Sequence, residues 1–158
     1  MATGKGAAHP PAWSRFFRRL RRPFLTPEER ARIAEVIAEA ERATTGEIHV
    51  HVEGRAGSRD TVALASRKFV ELGLDKTEGR NGVLILVFHL DHRFAIWGDE
   101  GIHAKAGRPL WERAREVLRE GFRERRYAEG LEECVRAVGR ELARHFPKGE
   151  GFGRNVPA

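Results

Sequence analysis

The clearest candidate metal ligands in this sequence are two histidines separated by one residue. His49 and His51 lie in the alternating segment EIHVHVE, Glu47 to Glu53, and in a β-strand their side chains point to the same face. Such a pair can chelate Zn²⁺, with Glu47 or Glu53 as a third ligand. Histidines on a half-solvated strand are more often surface residues. We therefore expect no metal here and keep this pair as the alternative.

Two further groups of polar residues fall at opposite ends of the expected β-sheet. One follows the carboxyl ends of two parallel strands, where open α/β sheets bind ligands, although loops are also polar by default. Its members are Glu53, Asp60, Asp91 and Arg93. The other group lies at the opposite end and comprises Arg80, Asn81, Gly82, Asp99, Glu100, Gly101 and His103.

Both groups depend on an almost wholly apolar run, Val83 to Phe88. This run predicts a strand that is buried on both faces. The pair Asn81-Gly82 tolerates positive φ and marks a turn before the strand. A polar break then predicts a hairpin to a second strand, Arg93 to Trp97, which ends in a glycine-rich segment. We expect positive φ at Gly82 and Gly101, because both flank strand ends.

Helices surround these strands in the predicted order. A capping box at Thr26, with proline at the first helical position, begins the first helix. Asp60 caps a helix that reaches Leu72, and amphipathic patterns predict two long helices, Pro109 to about Arg126 and Ala128 to Phe146. A helix between the first two strands makes them parallel. The expected fold is a three-layer α/β/α sandwich, whose small mixed sheet combines a parallel pair with an antiparallel hairpin.

Composition divides the chain into one domain, residues 25–147, with a basic amphipathic extension at 1–24 and a loose tail at 148–158. Six Lys and Arg residues precede Thr26 without an acid among them and account for the whole formal charge of +6. The remaining chain is neutral, so we expect no nucleic-acid partner. No apolar run approaches the roughly 20 residues of a membrane-spanning helix, and we expect a cytoplasmic protein.

The extension contains a helical pattern with one aromatic face and one arginine face. The aromatic face carries Trp13, Phe16, Phe17 and Leu20, and the other carries Arg15, Arg18, Arg19 and Arg22. Such a helix can lie on an anionic membrane surface or bind a protein partner. It can equally dock on its own domain, as most amphipathic helices do. The sequence leaves both alternatives open.

An ordered set of motifs resembles the TPM domain family, a group of thylakoid and membrane-associated proteins once proposed to be phosphatases. The set comprises Asn81-Gly82 before an apolar strand, Arg93 after the hairpin turn, Gly98 and Gly101 at the end of the next strand, Trp111, and the segment YAEGL at 127–131. The resemblance covers roughly Leu25 to Pro147, a domain-sized length.

The resemblance implies a site for a hard cation, Ca²⁺ or Mg²⁺, built from carboxylate and carbonyl oxygens near Asn81. Relatives carry one acid just before the Asn-Gly pair and two more after the second glycine. Here Arg80 and His103 stand at the first two of these positions, and residues 105–107 offer no acid at the third. Only Asp99 and Glu100 remain, and an arginine beside them competes with a cation. We therefore expect no cofactor.

Two functions follow from the resemblance. One is a non-catalytic binding module that acts on protein partners near the envelope, peripheral to the inner membrane. The other is a phosphomonoester hydrolase, which needs a divalent cation or an acid–base pair to stabilise charge on the phosphate oxygens. The sequence contains no nucleophile elbow, P-loop or Rossmann fingerprint. The missing family acids favour the binding module.

The basic extension makes membrane binding sensitive to salt. Each arginine near an anionic surface contributes about 1 kcal/mol before screening, and the Debye length falls to a few Å by about 0.5 M salt. Full-length protein should pellet with phosphatidylserine liposomes at low salt and be released by about 0.5 M salt. A truncated chain that begins at Thr26 should stay folded and in the supernatant. Collapse of the truncated chain would show that the Trp13 helix belongs to the core.

Overall fold

The computed structural model describes residues 23–149. The elements in chain order are α1 (Pro27–Arg42), β1 (Glu47–Glu53), α2 (Thr61–Glu71), a 3₁₀ turn (Leu74–Lys76), β2 (Gly82–Phe88), β3 (Arg93–Gly98), α3 (Glu100–Arg123) and α4 (Tyr127–His145). None of the helices in this part of the chain has the length and apolar character needed to cross a membrane. The helix predicted around Trp13, Phe16, Phe17, Arg18 and Arg19 lies outside the described residues.

The central strand of the sheet is β2, and all of its residues are buried. It pairs in parallel with β1, so that Glu47 lies opposite Gly82, and antiparallel with β3. The strand order is β1-β2-β3. The predicted parallel pair and antiparallel hairpin are both confirmed.

Alternate side chains of β2 point into two separate apolar cores. Val83, Ile85 and Val87 pack with residues of α1, α3 and α4. The intervening residues of β2 pack against α2 and the 3₁₀ turn. Helices therefore cover both faces of the sheet, which confirms the predicted α/β/α fold.

Side-chain caps fix the starts of α1 and α2. The Thr26 hydroxyl accepts the Glu29 N–H at 3.0 Å, and the Glu29 carboxylate accepts the Thr26 N–H at 2.9 Å. This is the predicted capping box. Asp60 accepts the Val62 N–H at 2.9 Å and caps α2, as predicted.

The helix predicted to start at Pro109 corresponds to the part of α3 after a break, but the prediction missed the preceding part, which begins at Glu100 with Asp99 as its N-cap. Gly107 interrupts α3 with a non-helical backbone, φ 71° and ψ −167°. Pro109 opens the part of the helix after this break, a position that suits proline. Several glycines around the first turns obscure the amphipathic pattern, so the sequence marks only the part after the break.

Close packing, rather than positive φ, requires glycine at positions 82 and 101. Neither glycine has a positive φ, so the predicted reason is wrong; the left-handed residue of this loop is Arg80, with φ 50°. A Cβ on Gly82 would lie 2.6 Å from the Leu74 carbonyl oxygen, and one on Gly101 would lie 2.5 Å from that of Arg80. Both neighbours are backbone atoms, which cannot move aside without disturbing the loop.

The variant Gly101→Ala should therefore lower the free energy of unfolding by more than the roughly 1 kcal/mol typical of glycine positions. Gly54→Ala is the matched control, because a Cβ there would make an ordinary contact 3.5 Å from the Leu90 side chain. Its effect should stay within about 0.5 kcal/mol. Urea denaturation measures both, and a Gly101→Ala protein as stable as the wild type would refute the packing argument.

Candidate functional site

Two loops and a helix start meet at one end of the sheet because β2 begins where β3 ends. Val83 lies opposite Gly98, and the Asp99 N–H donates to the Gly82 carbonyl oxygen at 3.0 Å. The structure thereby brings Arg80, Asn81 and Gly82 beside Asp99, Glu100 and Gly101.

Arg80 and Asp99 form a bidentate ion pair at this end. Arg80 Nε lies 2.9 Å from Asp99 Oδ2, and Arg80 Nη2 lies 3.0 Å from Asp99 Oδ1. Oδ1 also accepts the Glu100 N–H at 2.8 Å, so both carboxylate oxygens are engaged. The Asp99 side chain is 7% exposed. Its hydrogen bonds and its charge raise the pKa of the Arg80 guanidinium above its ordinary value.

The main chain of Arg80 also binds the first turn of α3. Its carbonyl oxygen accepts the N–H groups of Gly101 at 2.8 Å and Ile102 at 3.3 Å. These are donors that the first turn of a helix leaves without an intrahelical partner. Side chain and backbone of one residue therefore fix the start of α3.

Asn81 is buried beneath this loop. Its Nδ2 donates to the Thr45 hydroxyl at 3.1 Å, and its backbone N–H donates to the Thr77 hydroxyl at 3.0 Å. Its Oδ1, like Oδ1 of Asp75, is buried and has no hydrogen-bond partner among residues 23–149. Oxygens of this kind are ligands that a hard cation uses.

The rest of this end does not fit the divalent cation that the family resemblance implies. Such a site assembles several free carboxylate and carbonyl oxygens, but the Asp99 carboxylate and the Arg80 carbonyl are engaged. The guanidinium also brings positive charge to the place a cation would take. Glu100 is 75% exposed and lies 3.7 Å from Arg80 Nη2. Within residues 23–149, no three His, Cys, Asp or Glu side chains are placed to hold a metal ion.

Trp111 fixes the ring of His103. The indole Nε1 lies 2.9 Å from His103 Nδ1, and because an indole N–H can only donate, Nδ1 must accept. The neutral ring therefore carries its proton on Nε2 and presents a donor there. The break at Gly107 lies between the two residues in α3, and the indole packs over Gly98, where a Cβ would overlap it.

These residues line an open cleft of about 720 Å³, which we call the β3 cleft. The outer edge of β3 forms its base, with α2 on one side and α3 on the other. Its lining residues are Val62, Ser66, Phe69, Val70, Asp75, Arg80, Ile96, Trp97, Gly98, Asp99, Glu100, His103, Arg108, Trp111 and Arg115.

The sequence patterns did not point to the α2 side of this cleft. Val62 and Val70 are 52% and 56% exposed, and with Ser66 they follow one another at i, i+4 and i+8 on α2. This spacing defines a helix face next to the one that Ala65 and Phe69 bury in the core. The sequence did contain a signal for this side of the cleft, namely a second face with apolar residues on an amphipathic helix.

At the opposite end of the sheet, the predicted cleft residues bind neighbouring loops and helix α2. Asp91 accepts the N–H groups of Ala56 at 2.7 Å and Gly57 at 2.9 Å. The Gly57 hydrogen bond is the main cause that holds the pKa of the Asp91 carboxyl below its ordinary value. Arg93 donates to the Gly57 carbonyl oxygen at 2.7 Å, and Glu53 pairs with Lys68 at 3.1 Å. Each of these residues has a local structural partner.

His49 and His51 lie on the same strand face, with ring centroids 6.3 Å apart. Partial burial, and then the neighbouring His51, lower the pKa of His49 below its ordinary value. His51 Nε2 lies 3.2 Å from Glu53 Oε2. In the described part of the chain, no further ligand joins the pair to complete a metal site.

A second cleft, of about 670 Å³, lies between α3 and α4 and is strongly basic. Its lining carries the cations Lys105, Arg113, Arg140 and Arg144 and the acid Glu141, together with His145. The sequence did not predict this basic cleft, because the net charge of the domain is zero and a net charge sums over all faces of the protein.

Comparisons with known proteins give a consistent fold. The NMR structure of BA42 protein from the psychrophilic bacterium Bizionia argentinensis is similar, at 35% identity and a TM-score of 0.76, over 82% of this chain and 88% of that one. The N-terminal domain of cg2496 from Corynebacterium glutamicum matches at 12% identity and a TM-score of 0.61, over 75% of this chain and 74% of that one. The N-terminal domain of a P. gingivalis protein matches at 19% identity and a TM-score of 0.63, over 78% and 81%. These last two show the fold alone.

The model of the TPM domain matches residues 21–141. This range contains every element from α1 to β3, all of α3 and most of α4. None of the curated proteins compared with the chain matches it.

Adding Ca²⁺ or Mg²⁺ should leave the Tm almost unchanged, because Arg80 engages the Asp99 carboxylate. A cation at one hundred times its Kd would add about 2.7 kcal/mol, several degrees for a domain of this size. Arg80→Asp is the informative variant, since it replaces the guanidinium with the carboxylate that the family resemblance implies at this position, and aspartate tolerates the left-handed backbone. Thermal unfolding with and without millimolar CaCl₂ measures both proteins. A shift of several degrees in the wild type would contradict the account.

Proposed function

Because the chain belongs to the TPM domain family, we propose that it is a non-catalytic binding module that recognises proteins near the cell envelope. The observation that carries this proposal is the bidentate pair between Arg80 and Asp99. It engages the carboxylate that a hydrolase would need for a cation or for proton transfer. What remains accessible beside it is a cleft with apolar side chains and hydrogen-bond donors.

His103 supports binding rather than catalysis. With Nδ1 accepting from Trp111, the neutral ring has its proton on Nε2 and no free lone pair there. Such a nitrogen donates a hydrogen bond to a carbonyl or carboxylate oxygen but neither attacks phosphorus nor takes a proton from water. His103 therefore suits the cleft to bind a partner through that partner's carbonyl or carboxylate oxygens.

The point at which the basic extension joins the described domain supports a role at a membrane. Phe24, the last residue of the extension, packs on Tyr127 at 4.9 Å and His89 at 5.5 Å between ring centroids, at the hairpin end of the sheet. The seven residues of β2 span about 23 Å, and the Asp99 end lies beyond them. We propose that residues 1–22 hold the protein in the cytoplasm at the inner membrane surface, with the β3 cleft turned toward partners.

The second candidate function is phosphomonoester hydrolysis. It is favoured by one observation, the presence of His103, Arg108 and Arg115 in the same cleft as Asp99. Arginines there would bind phosphate oxygens. Chemistry at His103 would require its release from Trp111 and a nucleophile or activated water.

Hydrolysis of p-nitrophenyl phosphate separates the two candidates. The full-length protein should release p-nitrophenol no faster than the His103→Gln variant, with or without Mg²⁺, because the ring has no free nitrogen lone pair in the cleft. Absorbance of the released phenolate is the measurement. Turnover that is lost in both His103→Gln and Asp99→Asn, while the Arg140→Ala control retains it, would overturn the proposal in favour of the hydrolase.

A further inference from the structure

One edge of the sheet is open to a further strand. In the order β1-β2-β3, the strand β3 has a neighbour on one side only. In an antiparallel pair, every second residue of a strand hydrogen-bonds to its neighbour strand. Because the Asp99 N–H donates to the Gly82 carbonyl oxygen, Ala95 and Trp97 are the residues of β3 that bond to β2. Phe94, Ile96 and Gly98 therefore present their backbone N–H and C=O groups to the outer edge. No other backbone or side-chain group of residues 23–149 hydrogen-bonds to them.

The opposite edge of the sheet is partly closed. On β1, the outward N–H of Ile48 donates to the Glu41 carboxylate at 2.8 Å. Backbone groups of an exposed edge are a template for pairing with another chain. The edge of β3 is the more available template, and it lies at the base of the β3 cleft.

The two sides of the β3 cleft differ in chemistry. The α2 side carries the exposed valines 62 and 70. The α3 side carries Arg108 and Arg115, which have no ion-pair partner among residues 23–149. Arg80 is paired with Asp99 and lies near Glu100. The other charged residues of the lining are Arg108, Arg115 and the acid Asp75, so two cations and one acid remain outside these ion pairs.

An added strand would meet both sides in turn, because successive side chains of a strand point to opposite faces. The neighbouring strand shows this alternation: Trp97 packs with the α2 core and Ile96 with the α3 core. Every second residue of an added strand would therefore face the valines, and the residues between them would face the arginines.

We propose that the β3 cleft binds an extended segment of a partner protein, in which acidic and apolar residues alternate, as a fourth strand beside β3. Main-chain hydrogen bonds to Phe94, Ile96 and Gly98 hold the segment, and the alternating side chains select it. The inference rests on the proposed function, since it names the class of partner that the binding module takes.

The chain's own termini and a second copy of the chain fit the cleft less well. Residues 1–22 contain no Asp or Glu, and residues 150–158 contain one acid, Glu150, together with Arg154. Neither segment alternates acidic and apolar residues. Pairing two β3 edges would bring Arg108 and Arg115 of both copies close together, and like charges across such an interface oppose association.

The test uses the full-length protein and a fluorescein-labelled peptide of alternating Glu and Val. The reference peptide has the same composition with the glutamates and valines in two blocks. Fluorescence anisotropy should show that the alternating peptide binds at least about tenfold more tightly than the block peptide. The double variant Arg108→Ala/Arg115→Ala should weaken binding about tenfold. The matched control Arg140→Ala, an exposed arginine of the α3–α4 cleft, should bind like the wild type, and circular dichroism verifies that each variant folds.

Amide hydrogen exchange tests the strand pairing directly. A saturating amount of the alternating peptide should slow exchange at Phe94, Ile96 and Gly98 about tenfold. The amides of Ala95 and Trp97, already bonded to β2, should not change. Binding without this pattern, or equal binding of both peptides, would overturn the inference.

Two further outcomes separate this inference from the proposed function. Slow exchange at the same three amides without peptide, together with a concentration-dependent dimer, would show that a second copy occupies the edge and would overturn the inference. Phosphate-ester turnover in a protein that binds the alternating peptide would overturn the non-catalytic function and leave the inference standing. A protein that shows neither turnover nor peptide binding would overturn the inference and leave the non-catalytic function standing.

Discussion

The buried carboxylate of Asp99 at the start of α3 requires a positive partner, and the guanidinium of Arg80 provides it. A charge removed from water is costly unless it is paired and hydrogen-bonded. Asp99 is 7% exposed and receives two N–H groups from Arg80 and one from Glu100. Removing the guanidinium would leave an uncompensated buried charge, which destabilises more than the pair itself stabilises.

The rest of the candidate site follows from this pair. It joins the loop before β2 to the first turn of α3, and the carbonyl of Arg80 then packs so closely on Gly101 that no Cβ fits there. The fixed helix start determines the position of His103. The break at Gly107 lets Trp111, which follows it in α3, hydrogen-bond to His103. The family resemblance implies a bound metal cation at this end of the sheet. In this chain the guanidinium of Arg80 provides the positive charge instead. Unlike a metal ion, the guanidinium cannot dissociate from the protein.

Local patterns were sufficient to predict part of this structure. The apolar run of β2, the Thr26 capping box and the order of strand, helix and strand each depend on a few neighbouring residues, and each is confirmed. The start of α3 was missed because its first turns are stabilised by Arg80 and Asp99 rather than by an amphipathic pattern. The His103–Trp111 hydrogen bond depends on the break in α3. The β3 cleft depends on which strand edge the helices leave uncovered, and both are properties of the assembled fold.

A double-mutant cycle on Arg80 and Asp99 tests most directly whether the guanidinium neutralises the buried carboxylate. Urea denaturation would give the free energy of unfolding of the wild type, Arg80→Gln, Asp99→Asn and the double variant. The account predicts strong coupling: Arg80→Gln should cost much more stability in the wild type than in the Asp99→Asn background, because only the wild type retains the buried charge. Equal costs in the two backgrounds would contradict it, since Asp99 would then not depend on Arg80 for its charge balance.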